Sequence, residues 1–166
     1  MDYRLSEEQQ AFRRAVAKFV DAEIAPVADD LDAKGEFPVA LFKRIGELGH
    51  FGLRYPEAYG GAAADMVTYC LWAEELARGS MSVAAAACMQ SLMGTHFVFK
   101  YGSEEQRQKY LVPAVRGEKI GTFALTEPNA GSDVGNITTL AEKRGDHYVL
   151  NGTKTWVTSA PVADFL

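Results

Sequence analysis

The sequence contains few residues of the kinds that build disulfide frameworks and metal centres. Its 166 residues include two cysteines, Cys70 and Cys88, and three histidines. No Cys-x-x-Cys pair occurs, and no histidine stands at ligand spacing from either cysteine, whereas zinc sites need such clusters. Both cysteines fall within helix-like apolar patterns. We therefore interpret them as reduced core residues, which suits a reducing compartment, and we predict no metal site.

A surplus of basic residues is also lacking. Lysine and arginine together number 17 against 22 aspartates and glutamates, which gives a formal net charge of −5. Proteins that bind nucleic acids neutralise phosphates with clustered lysines and arginines. We therefore predict no nucleic-acid partner, and we interpret the short basic runs as solvated helix faces.

Long hydrophobic runs and targeting segments are not evident either. The most apolar stretch, residues 81–93, is interrupted by Ser82, Gln90 and Ser91, and it is far shorter than the roughly 18 apolar residues of a membrane span. Residues 1–8 lack the basic and apolar regions of a secretory signal and the arginine-rich profile of a transit peptide. We predict no membrane span and a cytoplasmic, bacterial protein.

The first part of the chain has helical periodicity. Ser6 and Gln9 form a capping box at the start of a predicted helix that Pro26 should end. A second helix is predicted over residues 38–48, with Gly49 as its stop. The next segment, residues 55–61, is rich in turn formers. A third helix is predicted from the cap Asp65 to about Ala77.

The fourth predicted helix, about residues 82–101, is apolar around nearly its whole circumference. Such a helix is buried against several neighbours. A second capping box, Ser103 with Gln106, opens a short helix that should end before Pro113. Residues 1–117 therefore predict an all-α helical bundle domain.

The pattern changes to strands near Gly117. Alternating apolar and polar residues, separated by turn formers, predict five strands at 119–126, 137–143, 147–150, 154–158 and 164–166. Arg144-Gly-Asp146 suits a tight hairpin between the second and third. The predicted fold class is thus α+β, with residues 118–166 beginning an antiparallel β-barrel domain. So small a sheet has unpaired edges, so we expect more of this chain, or another chain, to complete it.

The segment Thr126-Glu-Pro-Asn-Ala-Gly-Ser-Asp133 combines the features of a ligand-binding loop. Gly131 permits close backbone approach, Thr126 and Ser132 offer hydroxyls, and successive amides in a tight loop can bind an anion. A long hairpin loop with these residues for geometry alone is an equally open interpretation. The chain has no GxGxxG or Walker pattern, which disfavours a Rossmann or P-loop site.

Three motifs resemble those of the acyl-CoA dehydrogenase family. Phe123-Ala-Leu-Thr-Glu-Pro-Asn-Ala-Gly-Ser-Asp133 is similar to its first signature, and Asn151-Gly-Thr-Lys-Thr-Trp-Val-Thr158 to its second flavin segment. Tyr101–Pro113 is typical of its α-domain. The resemblance covers essentially the whole chain, and one departure is Asn136, where the signature usually has a small residue.

The resemblance implies FAD as cofactor and a set of residues around it. The apolar residues of the first motif would lie along the isoalloxazine ring, and Thr126 would bond its polar edge. Ser132 would sit near phosphate or pantetheine groups of FAD and the CoA thioester. Trp156 would stack beside the flavin, and Thr158 would bond near its N5. The implied cofactor-binding set is Phe123, Leu125, Thr126, Gly131, Ser132, Trp156, Val157 and Thr158.

The family activity implied is α,β-dehydrogenation of an acyl-CoA thioester to the 2-enoyl-CoA, with electrons passed to an electron-transferring flavoprotein. The family's catalytic base is a carboxylate from a C-terminal helical domain, so we expect the base beyond Leu166. Glu127 is therefore interpreted as part of the loop. By resemblance, the complete protein is expected to be a homo-oligomer, specifically a tetramer.

The motifs are closest to the glutaryl-CoA dehydrogenase branch, which holds a substrate carboxylate with an arginine on the fourth helix. Residues 82–91 contain alanines and no arginine, so a neutral, cyclic or aromatic-related acyl group is predicted instead. Ser132, Gln90, Met93 and Gly94 are candidate substrate residues. Core packing is an equally open role for the last three.

Two alternatives to a dehydrogenase stay open at this stage. One is a flavin oxidase or monooxygenase of the same fold, such as a nitroalkane-type oxidase. The other is a truncated, non-catalytic fragment or subunit that binds a partner.

Overall fold

The first helix begins where the sequence predicts it. The computed structural model describes residues 4–166, and α1 spans Glu7–Phe19. Ser6 Oγ accepts a hydrogen bond from the backbone amide of Gln9, and the Gln9 side chain accepts one from the amide of Ser6, both at 3.1 Å. The predicted capping box is confirmed, and it satisfies two amides at the helix start that have no partner within the helix.

The prediction that Pro26 ends the first helical run is wrong. After α1 the chain continues through a π-helical turn, Val20–Ile24, and a 3₁₀ turn, Ala25–Val27, into α2, Ala28–Lys34. Pro26 lies at the start of the 3₁₀ turn, where a missing amide donor leaves no hydrogen bond unmade. Gly35 ends the run in the left-handed conformation, at φ 62°.

The second and third predicted helices are confirmed with small shifts of their ends. Helix α3 spans Val39–Glu47 and is followed by Gly49 at φ 76°. Helix α4 spans Met66–Gly79, two residues longer than predicted. Its cap Asp65 accepts a hydrogen bond of 2.7 Å from the amide of Thr68.

The fourth predicted helix is a helical run with a π-helical middle. It consists of α5, Met81–Cys88, the π segment Met89–Gly94, and α6, His96–Tyr101. By length and composition alone, residues 81–101 pass the criterion for a membrane-crossing helix. Because Gln90, Ser91 and Thr95 in its middle are buried and hydrogen-bonded to the rest of the domain, we interpret it as a core helix.

The last helical run does not end before Pro113, as predicted. Ser103 and Gln106 form the predicted capping box for α7, Glu104–Gln106. The chain then continues through a second π segment, Arg107–Leu111, into α8, Val112–Val115. Pro113 occupies one of the first positions of α8, where the lack of an amide hydrogen is tolerated.

The described residues form a main apolar core and a smaller apolar cluster of Tyr55, Leu111 and Val115. The centre of the main core is α4, whose Trp72 and Leu76 have no solvent exposure. Helix α4 packs against α1 and α5, and α3 contributes Phe42 and Ile45 to the same core. Such aromatic and aliphatic burial is the dominant stabilising contribution to a domain of this kind. Other buried members are Val16, Phe19, Val20, Ile24, Phe42, Ile45, Phe51, Leu53, Tyr69, Val83, Ala84 and Ala87.

The β-region of the described residues contains one antiparallel hairpin. Strand β1, Leu140–Arg144, pairs with β2, His147–Asn151, in the register Leu140↔Asn151 to Arg144↔His147. Gly145 takes the left-handed conformation in the turn between them, as the hairpin prediction requires. The helical domain followed by an antiparallel hairpin confirms the predicted α+β class.

Three of the five predicted strands are absent from residues 4–166, and one begins late. The segments 119–126 and 164–166 are extended but share only one isolated parallel bridge, Gly121↔Phe165, instead of a ladder. Residues 154–158 are broken by Trp156, whose φ is 56°. Strand β1 starts at Leu140 and not at residue 137, because the amides of Thr138 and Thr139 donate to a side chain and not to a strand.

Candidate functional site

The two sequence motifs of the β-region lie side by side. The amide of Thr155 donates to the carbonyl of Thr126 at 2.9 Å, and Lys154 Nζ donates to the carbonyl of Leu125 at 2.9 Å. The hydroxyl of Thr122 donates to the carbonyl of Thr158. These bonds run along both segments, so residues far apart in sequence form one continuous wall.

Glu127 fixes the base of this wall and is almost fully buried, at 4% exposure. Its Oε2 accepts from the amide and hydroxyl of Thr138 at 2.7 and 2.8 Å, and its Oε1 accepts from the amide of Thr139 and from Lys154 Nζ, both at 2.9 Å. Hydrogen bonds from Thr139, Lys154 and Thr138 hold the pKa of Glu127 well below its usual range. A carboxylate held ionised by four donors is a structural anchor and a poor proton acceptor.

Above this anchor the wall presents apolar groups to solvent. Trp156 is 88% exposed and its backbone has a positive φ, a conformation that non-glycine residues rarely adopt. Leu125 is 40% exposed. The ring of Phe123 is partly buried and stacks on Phe97 of α6, with centroids 5.1 Å apart and planes 12° from parallel. The exposed faces suit a flat aromatic ligand.

The loop that follows Glu127 is short and tightly closed. Glu127 and Ala130 exchange backbone hydrogen bonds of 2.9 and 3.1 Å, which brings Gly131 and Ser132 to the surface. A Cβ added at Gly131 meets no atom within 4 Å. Within residues 4–166 the amides of Gly131 and Ser132 have no acceptor. The loop therefore has free donors and open space for an anionic group such as a phosphate.

The three helical candidates for the substrate site are not equivalent. Met93 is 45% exposed. Gln90 is buried, and its side chain makes three hydrogen bonds to backbone atoms of residues 114, 119 and 121. Gly94 is also buried, and a Cβ there would lie 2.4 Å from the carbonyl oxygen of Gly121. The geometry favours core packing for Gln90 and Gly94, the alternative that the sequence leaves open.

A cavity of about 290 Å³ adjoins the wall at Thr158 and Ser159. Its other sides are the start of α5, with Val83 and Ala86, and the segment between α2 and α3, with Phe37. Among residues 4–166 no lysine or arginine lines the cavity, and the charged residues that do are Asp32 and Glu36. An uncharged group fits this cavity better than a carboxylate, which the two acidic side chains would repel.

Comparison with known proteins identifies the family. A family model described as acyl-CoA dehydrogenase, N-terminal domain, matches residues 6–118. A second, described as acyl-CoA dehydrogenase, middle domain, matches residues 122–166. The chain belongs to the acyl-CoA dehydrogenase family. The family resemblance predicted from the three motifs is therefore confirmed.

Individual members of the acyl-CoA dehydrogenase family match nearly the whole chain. Benzylmalonyl-CoA dehydrogenase of Aromatoleum aromaticum is 50% identical over 165 residues, which cover 99% of this chain and 44% of the relative. A glutaryl-coenzyme A dehydrogenase solved with glutaryl-CoA has a TM-score of 0.94 and 40% identity, covering 99% and 42%. The FAD complex of PigA has a TM-score of 0.92 and 28% identity, covering 99% and 44%. The chain spans less than half of each.

Sequence reasoning missed the residues that hold the two motifs together. Lys154, Thr138 and Thr139 act on Glu127 from positions 11 to 27 residues away. Phe97 of α6 reaches Phe123 across the boundary between the helical and β-regions. Only Lys154 carried a sequence signal, since it lies inside the second motif of the acyl-CoA dehydrogenase family.

Proposed function

We propose that this protein takes part in FAD-dependent α,β-dehydrogenation of an acyl-CoA thioester to the 2-enoyl-CoA. The observation that supports this most directly is the single wall made by the two motifs, with Trp156 and Leu125 exposed on it and Thr158 at its edge. Apolar faces combined with polar edges suit a planar cofactor. FAD supplies the hydride acceptor when it is bound.

The residues proposed to hold FAD are those of the wall and the loop. Phe123 and Leu125 provide apolar surface, Trp156 a stacking ring and Val157 part of the same edge. Thr126 and Thr158 are proposed to bond polar atoms of the flavin, while Gly131 and Ser132 approach its phosphates through their free amides. The open space at Gly131 and the exposed indole support the fit.

The proposed part of the protein in the reaction is to orient the cofactor and the substrate. Thr158 is proposed to donate its hydroxyl at the flavin edge, and Ser132 is proposed to contact both cofactor and CoA thioester. Because the Glu127 carboxylate is held as an anion by its four donors, we propose that another carboxylate removes the α-proton. We propose an electron-transferring flavoprotein as the electron acceptor.

For the acyl group we propose an uncharged, aromatic or cyclic substituent in the cavity beside Thr158 and Ser159. Apolar lining by Val83, Ala86 and Phe37 supports this, as does the absence of lysine and arginine from the lining. Benzylmalonyl-CoA, named in the relative from Aromatoleum aromaticum, joins an aromatic ring to a free carboxylate, so this relative supports the aromatic part of the proposal, whereas the absence of charge is argued from the cavity lining alone. Met93, the one exposed residue of the three helical candidates, is proposed to lie near the acyl chain.

The remaining assignments also stand as proposals. We propose a helical domain over residues 1–117 and the first part of a β-domain over 118–166. A cytoplasmic location in a bacterium and a homotetramer are proposed from the family resemblance. An oxidase or monooxygenase of the same fold is the competing function, and PigA, solved as an FAD complex, shares the fold at 28% identity.

The test uses the protein expressed from its complete reading frame. Purified protein is expected to carry FAD and to reduce an electron-transferring flavoprotein with 3-phenylpropionyl-CoA as substrate. Glutaryl-CoA should give a kcat/KM at least about tenfold lower, since its second carboxylate would face Asp32 and Glu36 in the cavity. Protein that binds no FAD contradicts the cofactor proposal, and hydrogen peroxide production in place of flavoprotein reduction identifies the oxidase instead.

A further inference from the structure

Gln90 is a buried polar residue of the helical domain, and its side-chain amide makes three hydrogen bonds. It is 1% exposed, and its Nε2 donates to the carbonyls of Ala114 at 3.0 Å and Lys119 at 2.8 Å. Its Oε1 accepts from the amide of Gly121 at 2.7 Å. One side chain thus bonds one backbone group of α8 and two of the segment that connects α8 to the wall.

The segment that Gln90 contacts leads directly into the proposed FAD site. Gly121 is followed by Thr122, whose hydroxyl donates to the carbonyl of Thr158, and by Phe123, the first residue of the wall. Four residues after Gln90, Gly94 lies so close to Gly121 that even a Cβ would clash with its carbonyl oxygen at 2.4 Å. The π segment and residues 121–122 therefore meet backbone to backbone, with Gln90 holding the register between them.

Gln90 lies in the π segment Met89–Gly94. Segments of π-helix within α-helices are rare and are frequent at functional sites. On the other side of the same π segment, Ser91 bonds Tyr69 at 2.7 Å and Thr95 bonds Tyr55 at 2.7 Å, so that side faces the helical core. Of these buried polar side chains, Gln90 is the one that bonds the chain leading into the β-region.

We propose that Gln90 is a positioning residue for the flavin: it acts through Gly121 and Thr122 to set where Phe123 and Thr158 meet the cofactor. It touches neither FAD nor substrate. The proposal rests on the proposed FAD site, and it replaces a substrate-lining role for Gln90. Loss of its three hydrogen bonds is expected to alter flavin environment and reduction rate, with the KM for acyl-CoA unchanged.

The experiment compares three variants of the complete FAD-bound protein. Gln90→Met keeps the side-chain length and removes all three hydrogen bonds. Gln90→Glu keeps the acceptor for Gly121 but repels the carbonyls of Ala114 and Lys119 until it is protonated. Ser91→Ala is the control, because it removes buried hydrogen bonds from the same π segment on the side that faces the helical core.

Gln90→Met is expected to shift the visible absorption and circular dichroism of bound FAD and to slow flavin reduction about tenfold per bound flavin, the effect of one or two lost hydrogen bonds. As the pH is lowered, Gln90→Glu should move towards the parent spectrum, because burial raises the pKa of a carboxyl group and the protonated group can donate to the carbonyl of Ala114 or of Lys119. Ser91→Ala should lower the thermal midpoint yet keep the parent spectrum and rate.

Two results overturn the inference while leaving the proposed function intact. One is a Gln90→Met protein with parent spectrum and parent reduction rate per bound flavin. The other is a Ser91→Ala protein with the same spectral change as Gln90→Met, since that shows general loosening of the core. If Gln90→Met does not fold, the pH-dependent return of Gln90→Glu decides, and its absence overturns the inference. A parent protein without FAD overturns the proposed function itself.

Discussion

Lys154 Nζ lies 2.9 Å from Oε1 of Glu127, in an ion pair whose carboxylate side chain is 2% exposed. The same Nζ donates to the carbonyl of Leu125. The pair thus ties the second motif to the first at the two residues flanking Thr126. Removing one partner of a buried pair leaves the other uncompensated, which is strongly unfavourable.

Glu127→Gln is expected to weaken FAD binding about tenfold or more and to lower the thermal midpoint, because an amide cannot accept from both Thr138 and Lys154. Titration of apoprotein with FAD, followed by flavin fluorescence, measures the change. Glu118→Gln is the matched control, since Glu118 is exposed. Unchanged FAD affinity with a slowed proton transfer would show that Glu127 is the base after all.

His50 makes the stability depend on pH. The imidazole lies in an aromatic pocket, with centroids 5.8 Å from Phe19 and 6.1 Å from Trp72. Burial, together with the nearby charge of Arg44, lowers its pKa to about 4. In the unfolded chain the imidazole has its ordinary pKa of 6.5, so the free energy of unfolding falls as the pH drops from about 6.5 towards 4, by up to about 3 kcal/mol.

Chemical unfolding of parent and His50→Leu at about pH 7.5 and pH 4 measures this contribution. Carboxylates with a depressed pKa, such as Glu127, also stabilise the folded protein less as the pH falls below the usual carboxyl pKa. This loss occurs in both proteins, so only the difference between them reports on His50. The parent is expected to lose more free energy than the variant. Equal losses in both proteins contradict the assignment.

Gly94 and Gly131 allow a matched comparison, because Gly94 is assigned to core packing and Gly131 to close approach of the ligand. Gly94→Ala places a Cβ 2.4 Å from the carbonyl oxygen of Gly121 and is expected to lower the free energy of unfolding by roughly 1–3 kcal/mol. Gly131→Ala meets open space and should change stability by less than about 0.5 kcal/mol while weakening FAD binding. The opposite pattern of stability changes contradicts both assignments.

Thr158→Ala is expected to slow flavin reduction by acyl-CoA roughly tenfold, because one hydroxyl donor at the flavin edge is lost. Stopped-flow absorbance of the reductive half-reaction measures it. Thr158→Ser keeps the hydroxyl and should retain a rate near that of the parent. Unchanged reduction in the alanine variant removes Thr158 from the proposed site.

The 166-residue chain by itself is expected to show no turnover of acyl-CoA with an artificial electron acceptor. The physical reason is that Glu127, the carboxylate of the first motif, is held ionised by its four donors and is a weak base. Activity of this isolated chain above the buffer background contradicts this expectation.

Local signals in the sequence placed the helix starts well. The side chains of the capping residues Ser6, Asp65 and Ser103 accept hydrogen bonds from amides three residues further along the chain, so a short stretch of sequence is enough to predict them. The helix ends predicted at Pro26 and Pro113 were wrong, because both prolines lie at the start of a helical turn, where the missing amide hydrogen costs little. Strands were predicted worse, since a ladder depends on a partner distant in sequence.

The sequence by itself determined the family, through motifs whose residues are adjacent, and the all-α character of the first part, through its period of 3.6 residues. Only the tertiary structure decided what those residues do. The hydrogen bonds from Thr138, Thr139 and Lys154 show that Glu127 is an anchor of the loop. The hydrogen bond to Gly121 shows that Gln90, a substrate candidate from the sequence, links the helical run to the wall. Both outcomes depend on hydrogen bonds between residues 11 to 31 positions apart, which no local pattern encodes.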